Sequence, residues 1–210
     1  MRTDWEIRRE ISLFGKKIYN KGFVAASDGN ISVRAIGDRF FITPAGSCLG
    51  SFNINDISYL DLNGNVLSGG GQPSSELAVH IEVYKRRGDI NAVIHAHPPV
   101  TTAFSVAGEK ISADILPEIK IMFGNIPTAH YATPGTKEAA EAIGSLIGEN
   151  DIVVMDHHGV LCLGVTLEDA FFKLEKLEHY ASTLLAAKQL GNIKPLEPEE
   201  IIKLERTGKQ

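Results

Sequence analysis

The chain has 210 residues, of which 43% are hydrophobic and 22% charged, a composition typical of a globular protein with a single domain over residues 1–210. A formal charge of −5 and an isoelectric point near 5.8 argue against a broad nucleic-acid-binding surface, because phosphate backbones require clustered Lys and Arg. No apolar run approaches the roughly 20 residues that span a bilayer, and residues 1–6 lack the apolar segment of a secretory signal, so we expect no membrane partner and a cytoplasmic location.

The first 70 residues predict an amphipathic helix followed by antiparallel strands. Thr3 and Glu6 form a capping-box pattern, and apolar residues at helical spacing follow until Gly22. Short apolar strands are predicted near residues 31–33 and 39–43. Asn63-Gly64 lies between two apolar stretches, which is a strong hairpin signal. The sheet is therefore expected to be largely antiparallel.

The rest of the chain alternates predicted helices with apolar strands. A helix is predicted over residues 74–87, and an apolar strand over 91–97 ends at two prolines. The sequence after residue 101 gives a weak helical signal, and residues 111–131 carry no clear pattern. The remaining predicted elements are strands at 151–155 and 160–163 and helices at 136–147, after 166 and at 198–204.

A His-x-His pair is the first indication of a metal site. Side chains two apart on a strand point the same way, so His95 and His97 can face one ion. The pair does not identify a site by itself, because His is also a routine polar residue. His158, in the turn of a predicted hairpin, can supply a third nitrogen, and His157 competes for that role. Since the chain has only two cysteines, far apart in sequence, any ion must be held by His and carboxylate ligands.

Glu76 is the best candidate for a carboxylate at this site. It is predicted in the first turn of a helix that follows a Gly-rich loop, where the helix dipole favours a negative charge. The alternative is that Glu76 only stabilises the helix N-terminus. The other histidines have simpler interpretations: His80 as a helix-face residue, His130 as structural, and His179 as a favourable charge late in a long helix.

Three turns of small residues are candidates for binding an anion. On its own each is only a turn, because Gly, Asn and Ser are common turn formers. If the three turns converge, backbone N–H groups, hydroxyls and a helix N-terminus could hold a phosphate without any lysine. The turns are Gly29-Asn30, Ala45-Gly46 and Ser74-Ser75.

Six motifs, taken in order, resemble the class II aldolase and adducin-head family, and the resemblance is strongest to members that cleave L-fuculose 1-phosphate. The motifs are Gly29-Asn30-Ile31-Ser32, Thr43-Pro44-Ala45-Gly46, Ser74-Ser75-Glu76, His95-Ala96-His97-Pro98, residues 131–136 and His157-His158-Gly159. The resemblance extends from the first helix to about Leu190. It implies an α/β fold whose central, mostly antiparallel sheet is flanked by helices. It also implies a homotetramer with active sites at subunit interfaces.

The resemblance also implies a role for each matching residue. His95, His97 and His158 match zinc-binding histidines, and Glu76 matches an acidic residue that approaches the zinc and moves protons. Manganese or cobalt could replace zinc. The positions that match a cradle for the substrate phosphate are Asn30, Gly46, Ser74 and Ser75.

The activity implied by the resemblance is retro-aldol cleavage of a ketose 1-phosphate, such as L-fuculose 1-phosphate, to dihydroxyacetone phosphate and an aldehyde. Related members act as pentulose-5-phosphate 4-epimerases or methylthioribulose-1-phosphate dehydratases, and adducin-like members are binding modules without catalysis. The chain departs from the fuculose-phosphate pattern at Ala45, where a threonine is expected, and no aromatic residue follows Tyr180. Glu118 is the candidate for the acid that serves the aldehyde oxygen.

Overall fold

An eight-stranded sheet forms the centre of the computed structural model, which describes residues 2–207. The strand order is β4-β3-β2-β1-β5-β8-β7-β6, and only the β6–β7 pair is parallel. This arrangement confirms the expected mostly antiparallel sheet. The strands are β1 (Asn30–Ala35), β2 (Arg39–Ile42), β3 (Ser58–Asp61), β4 (Val66–Ser68), β5 (Ala92–Ala96), β6 (Thr128–Ala129), β7 (Ile152–Met155) and β8 (Gly159–Gly164).

Seven α-helices lie within residues 2–207, and none of them combines the length and apolarity needed to cross a membrane. A short 3-10 helix, Ile54–Asp56, precedes β3. The helices are α1 (Asp4–Asn20), α2 (Leu77–Arg86), α3 (Pro99–Val106), α4 (Pro117–Phe123), α5 (Lys137–Gly144), α6 (Leu167–Leu190) and α7 (Pro198–Thr207).

Helix α1 begins as the sequence predicts. The backbone N–H of Glu6 donates to Thr3 Oγ1 at 3.3 Å, and the N–H of Thr3 donates to Glu6 Oε2 at 2.7 Å. This reciprocal pair satisfies two of the N–H groups that a helix N-terminus leaves without intrahelical partners. The buried face of the helix then packs on the sheet through Ile7, Ile11 and Ile18.

The sheet separates two hydrophobic cores because successive side chains of a strand point to opposite faces. On β5, Ile94 belongs to the core under α1, α3 and α6, whereas Val93 belongs to the core under α2 and α5. His95 is two residues after Val93, so its imidazole lies on the α2 and α5 side of the sheet. The long helix α6 therefore covers the face opposite the candidate metal ligands.

Several element boundaries differ from the sequence prediction. Helix α2 starts at Leu77 with Glu76 as its N-cap residue, so Glu76 precedes the first turn instead of lying in it. Helix α3 begins directly at Pro99, because proline is well tolerated at the first helical position. Residues 111–131, which carry no clear sequence pattern, contain α4 and β6.

Candidate metal centre and anion pocket

The end of β5 holds the first two histidines in the centre of the sheet. His95 pairs with Asn30 of β1 on one side and with Leu161 of β8 on the other. Its Nδ1 lies 3.1 Å from the carbonyl oxygen of Val160, which accepts a hydrogen bond from it. A histidine that donates one ring N–H to a carbonyl presents the other nitrogen to a metal. His97 follows the strand end, and its Nε2 lies 2.9 Å from His95 Nε2.

The turn between β7 and β8 brings His158, and not His157, to this pair. His157 has a φ of 54°, a left-handed conformation that turns the two neighbouring side chains apart. The His157 ring is half exposed and lies 2.9 Å from an oxygen of Asp156. Potential ligand atoms of His95, His97 and His158 all lie within 4.8 Å of one another, so they can hold one metal ion.

Glu76 completes the cluster from the start of α2. Its Oε2 lies 2.9 Å from His95 Nε2, and its Oε1 lies 3.7 Å from His158 Nε2. Both carboxylate oxygens and His158 Nδ1 are buried and form no hydrogen bond of acceptable geometry with the described part of the chain. Buried polar atoms without partners are rare and require an explanation. Nitrogen and carboxylate donors around one point fit a divalent cation well.

The protonation states of the cluster suit cation binding. Burial raises the pKa of Glu76, but the charges of His95, His158 and His80 lower it to about 2. Burial, followed by the charge of His95, lowers the pKa of both His97 and His158. The carboxylate is therefore ionised and these two imidazoles are neutral near pH 7, which are the forms that bind metal ions.

A small pocket of about 160 Å³ adjoins the histidines, and all four predicted phosphate residues line it. Two backbone hydrogen bonds join the second and third turns here: Ser74 N donates to Thr43 O at 3.2 Å, and Ala45 N donates to Gln72 O at 2.8 Å. Asn30 and Ser74 are buried, whereas Gly46 and Ser75 are exposed at the rim. The three turns therefore do converge, and their role as a phosphate cradle stays a prediction.

Gly29 permits the close approach of the first turn to β5. Its φ is +75°, and an added Cβ would lie 2.9 Å from the carbonyl oxygen of His95 and 2.6 Å from Val24 Cγ1. Any side chain would be strained in this conformation and would push the turn from the strand. A glycine here thus allows Asn30 to pair with His95 and to reach the pocket.

Sequence reasoning missed two residues near the metal cluster. Asp28 lines the pocket, and its Oδ2 lies 3.6 Å from His97 Nδ1. His80, interpreted as a helix-face residue, is fully buried, and its Nε2 lies 2.5 Å from Asn30 Oδ1. The spacing of His80 four residues after Glu76 was an available signal, since such residues share one helix face.

The remaining sequence candidates lie outside the pocket. Glu118 is not among the lining residues, and Lys176 lies 3.8 Å from it. A larger cavity of about 560 Å³ is lined by Lys21, Glu178 and parts of α4 and α6. The Glu178 carboxylate there is already occupied, because it accepts hydrogen bonds from the backbone N–H groups of Val100 and Thr101 at 2.8 Å. The smaller pocket is therefore the candidate site.

Comparisons with known proteins identify the family of this chain. Residues 9–185 match the profile of the class II aldolase and adducin N-terminal domain. An L-fuculose phosphate aldolase of Methanocaldococcus jannaschii is 38% identical over 170 residues, which is 81% of this chain and 91% of that protein. A 3-oxo-tetronate 4-phosphate decarboxylase of Haemophilus influenzae is 30% identical over 211 residues, covering 99% of this chain and 100% of that protein.

A solved structure supports the same assignment. An L-fuculose 1-phosphate aldolase superposes with a TM-score of 0.89 at 31% identity, covering 98% of this chain and 97% of that one. The profile match covers well over half of the chain. The relative from Methanocaldococcus jannaschii is 38% identical and the one from Haemophilus influenzae is 30% identical, and each alignment covers more than two thirds of this chain. The chain belongs to the class II aldolase and adducin N-terminal domain family.

Proposed function

We propose that this protein is a zinc-dependent aldolase that reversibly cleaves a ketose 1-phosphate, such as L-fuculose 1-phosphate, to dihydroxyacetone phosphate and an aldehyde. The observation that carries the proposal is that the candidate metal ligands and the candidate phosphate-binding residues line one pocket. Glu76, His95 and Asn30 all lie on it. A substrate whose phosphate occupies the three turns would place its carbonyl carbon near Glu76.

The metal would be held by His95, His97 and His158, with Glu76 as a fourth donor. Three protein ligands of this kind, with room for substrate, are typical of catalytic zinc, and manganese or cobalt could take the same donors. When bound, a divalent ion supplies Lewis acidity that stabilises negative charge on the substrate oxygens. The neutral state of the His97 and His158 rings supports this assignment.

Glu76 would act as the general acid/base that transfers a proton to and from the substrate carbon next to the carbonyl group. In the condensation direction, its ionised carboxylate takes a proton from the hydroxymethyl carbon of dihydroxyacetone phosphate, and the resulting enediolate attacks the aldehyde. In the cleavage direction, the C4 hydroxyl loses its proton to solvent and the C3–C4 bond breaks to give the aldehyde. The electron pair stays on C3, and Glu76, after taking a proton from solvent, delivers it to that carbon. Burial raises the pKa of Glu76, but the neighbouring histidines lower it to about 2, so the carboxylate is ionised near neutral pH, which is the form that accepts a proton.

The phosphate would be bound by Asn30, Gly46, Ser74 and Ser75. Ser74 Oγ accepts the backbone N–H of Glu76 at 3.2 Å, which leaves its hydroxyl proton free to donate to an anion. Gly46 has a φ of +66°, so its backbone can turn its N–H group in a way that L side chains rarely permit. Neutral donors of this kind bind a phosphate without a lysine.

A second candidate activity is decarboxylation of 3-oxo-tetronate 4-phosphate. A relative with this activity in its name aligns with nearly the whole chain, including the C-terminal tail. Loss of carbon dioxide from this 3-oxo acid leaves an electron pair on the adjacent carbon, and protonation there yields dihydroxyacetone phosphate. Since both reactions pass through the same enediolate, one site with Glu76 as proton donor could serve either, and they differ only in the group that leaves.

We also propose that the protein assembles as a homotetramer whose active sites lie at subunit interfaces, and that it acts in the cytoplasm, where phosphorylated sugars are metabolised. Exposed apolar side chains on α4 and α6 support an assembly, since Met122 is 41% exposed and Phe172 is 48% exposed. Light scattering coupled to size-exclusion chromatography measures the assembly directly. A monomeric molecular mass would contradict it.

The deciding experiment measures bound metal and then supplies three substrate systems. Purified protein is analysed for zinc, expected at about one ion per chain. It is then incubated with L-fuculose 1-phosphate, with dihydroxyacetone phosphate plus small aldehydes, and with 3-oxo-tetronate 4-phosphate. Chelator-sensitive formation of ketose phosphate supports the aldolase, whereas carbon dioxide release without condensation supports the decarboxylase. Protein with neither metal nor turnover would refute both.

A further inference from the structure

A fully buried hydrogen-bonded chain of side chains connects α2 to the anion pocket. His80 Nδ1 lies 2.6 Å from Ser32 Oγ, and Ser32 Oγ lies 2.8 Å from Tyr84 Oη. At the other end, His80 Nε2 lies 2.5 Å from Asn30 Oδ1. Ser32 and His80 are 0% exposed, so water does not replace any of these partners. The hydrogen-bonded series therefore has the order Tyr84, Ser32, His80, Asn30.

The number of protons that these four side chains carry determines which partner donates in each hydrogen bond. Among the described residues, the hydroxyl of Tyr84 has only Ser32 as a hydrogen-bond partner. If the Asn30 amide donated to His80, then His80 would donate to Ser32 and Ser32 would donate to Tyr84. The hydroxyl proton of Tyr84 would then be buried without an acceptor. In the opposite direction each hydroxyl and imidazole proton has an acceptor, and only the amide protons of Asn30, at the pocket, remain. Since an unsatisfied buried donor is costly, the chain runs from Tyr84 toward the pocket.

This direction sets both the tautomer of His80 and the orientation of Asn30. Tyr84 donates to Ser32, Ser32 donates to Nδ1 of His80, and Nε2–H of His80 donates to Asn30 Oδ1. Burial, followed by the charge of His95, lowers the pKa of His80 to about 3, so its ring carries the single proton that this pattern requires. With its oxygen held by His80, Asn30 has its amide N–H groups left for the pocket that it lines.

We propose that His80 is a positioning residue that holds Asn30 with its amide nitrogen toward the pocket, so that Asn30 donates to the phosphate group of the substrate. This inference rests on the proposed function, because it assigns the phosphate to the Asn30 pocket. Without the His80 donor, the amide can rotate and present its carbonyl oxygen to the anion, which repels it. His80 acts through Asn30 and does not touch the substrate.

The test compares His80→Leu, which removes the donor, with His80→Gln, whose amide nitrogen can still donate to Asn30. Binding of inorganic phosphate is measured by titration calorimetry on the metal-loaded protein. We expect about 10-fold weaker phosphate binding in His80→Leu, with the bound metal retained, and most of the affinity restored in His80→Gln. Lys85→Leu is the matched control, because Lys85 is exposed on the same helix α2, and its phosphate affinity should equal that of the unmodified protein.

A double variant separates a positioning role from general damage to the fold. If His80 acts through Asn30, then Asn30→Ala with His80→Leu binds phosphate no more weakly than Asn30→Ala alone. The KM for dihydroxyacetone phosphate should rise in His80→Leu, while that for unphosphorylated dihydroxyacetone should not. Additive losses, or unchanged phosphate affinity in a folded His80→Leu protein, would overturn the inference.

A measurement on the unmodified protein covers the case in which His80→Leu does not fold. Nitrogen-15 NMR of the histidine rings distinguishes the two neutral tautomers, and we expect the Nε2–H form at His80. The Nδ1–H form would refute the proposal. An unmodified protein that binds no inorganic phosphate would also refute it, while chelator-sensitive condensation in the same preparation would leave the proposed aldolase activity intact.

Discussion

Replacement of Gly159 by alanine should disrupt the metal centre through the backbone of β5. The added Cβ would collide with the carbonyl oxygen of Ala96 and would lie 2.6 Å from Cδ2 of His97. Ordinary carbon contacts are about 3.5 Å, so the His97 ring must move by about 1 Å. Because a functional site tolerates displacements of only about 0.5 Å, we expect metal affinity to fall by about 10- to 100-fold.

The same substitution should also lower the stability of the metal-free protein. Overpacking costs about 1–3 kcal/mol, which lowers the melting temperature of a chain of this size by about 2–12 °C. Calorimetry of the chelated protein measures this effect separately from the affinity. Gly88→Ala is the matched control, because a Cβ there meets nothing within 4 Å, and its melting temperature should not fall. A Gly159→Ala protein with unchanged metal affinity and melting temperature would refute the steric reasoning.

Three further predictions concern the charged groups of the site. Glu76→Gln should retain bound metal but lose at least about 100-fold in kcat, because general acid/base catalysis contributes about that much; full turnover would exclude Glu76 from the mechanism. His158→Ala should lose metal, measured by elemental analysis, whereas His157→Ala should keep it; equal metal content in the two variants would contradict the geometry. The folded pKa of His80, about 3, lies below its unfolded value, so the unfolded state binds more protons below pH 6.5. Denaturant titrations of chelated protein should therefore show stability falling by up to about 1.4 kcal/mol per unit as the pH drops from 6.5 toward 3, with a shallower fall in His80→Gln.

Local sequence patterns predicted most of the architecture because local interactions determine it. The capping box at Thr3, the Asn63-Gly64 turn and the period-two spacing of His95 and His97 each depend on neighbours within a few residues. The mostly antiparallel character of the sheet followed from the hairpin signals and the resemblance, whereas the order of its eight strands was not predicted. Element existence was thus easier to predict than element boundaries.

The parts that sequence reasoning missed depend on contacts between distant residues. The bond between His80 and Asn30 spans 50 residues, and no pattern near either residue indicates it. The choice between His157 and His158 depends on one left-handed φ at position 157, which a non-glycine residue rarely adopts. Helix α4 lies in a stretch without clear periodicity, and it packs against α7 near the other end of the chain.

The central position of β5 has a consequence for how the protein matures. His95 is correctly positioned only when β5 is paired with both β1 and β8. The residues that pair with His95 lie about 65 positions before it and after it in the sequence. Closing such long loops is slow compared with forming helices, so the three histidines come together late. An ion would therefore bind only after the central strands have paired.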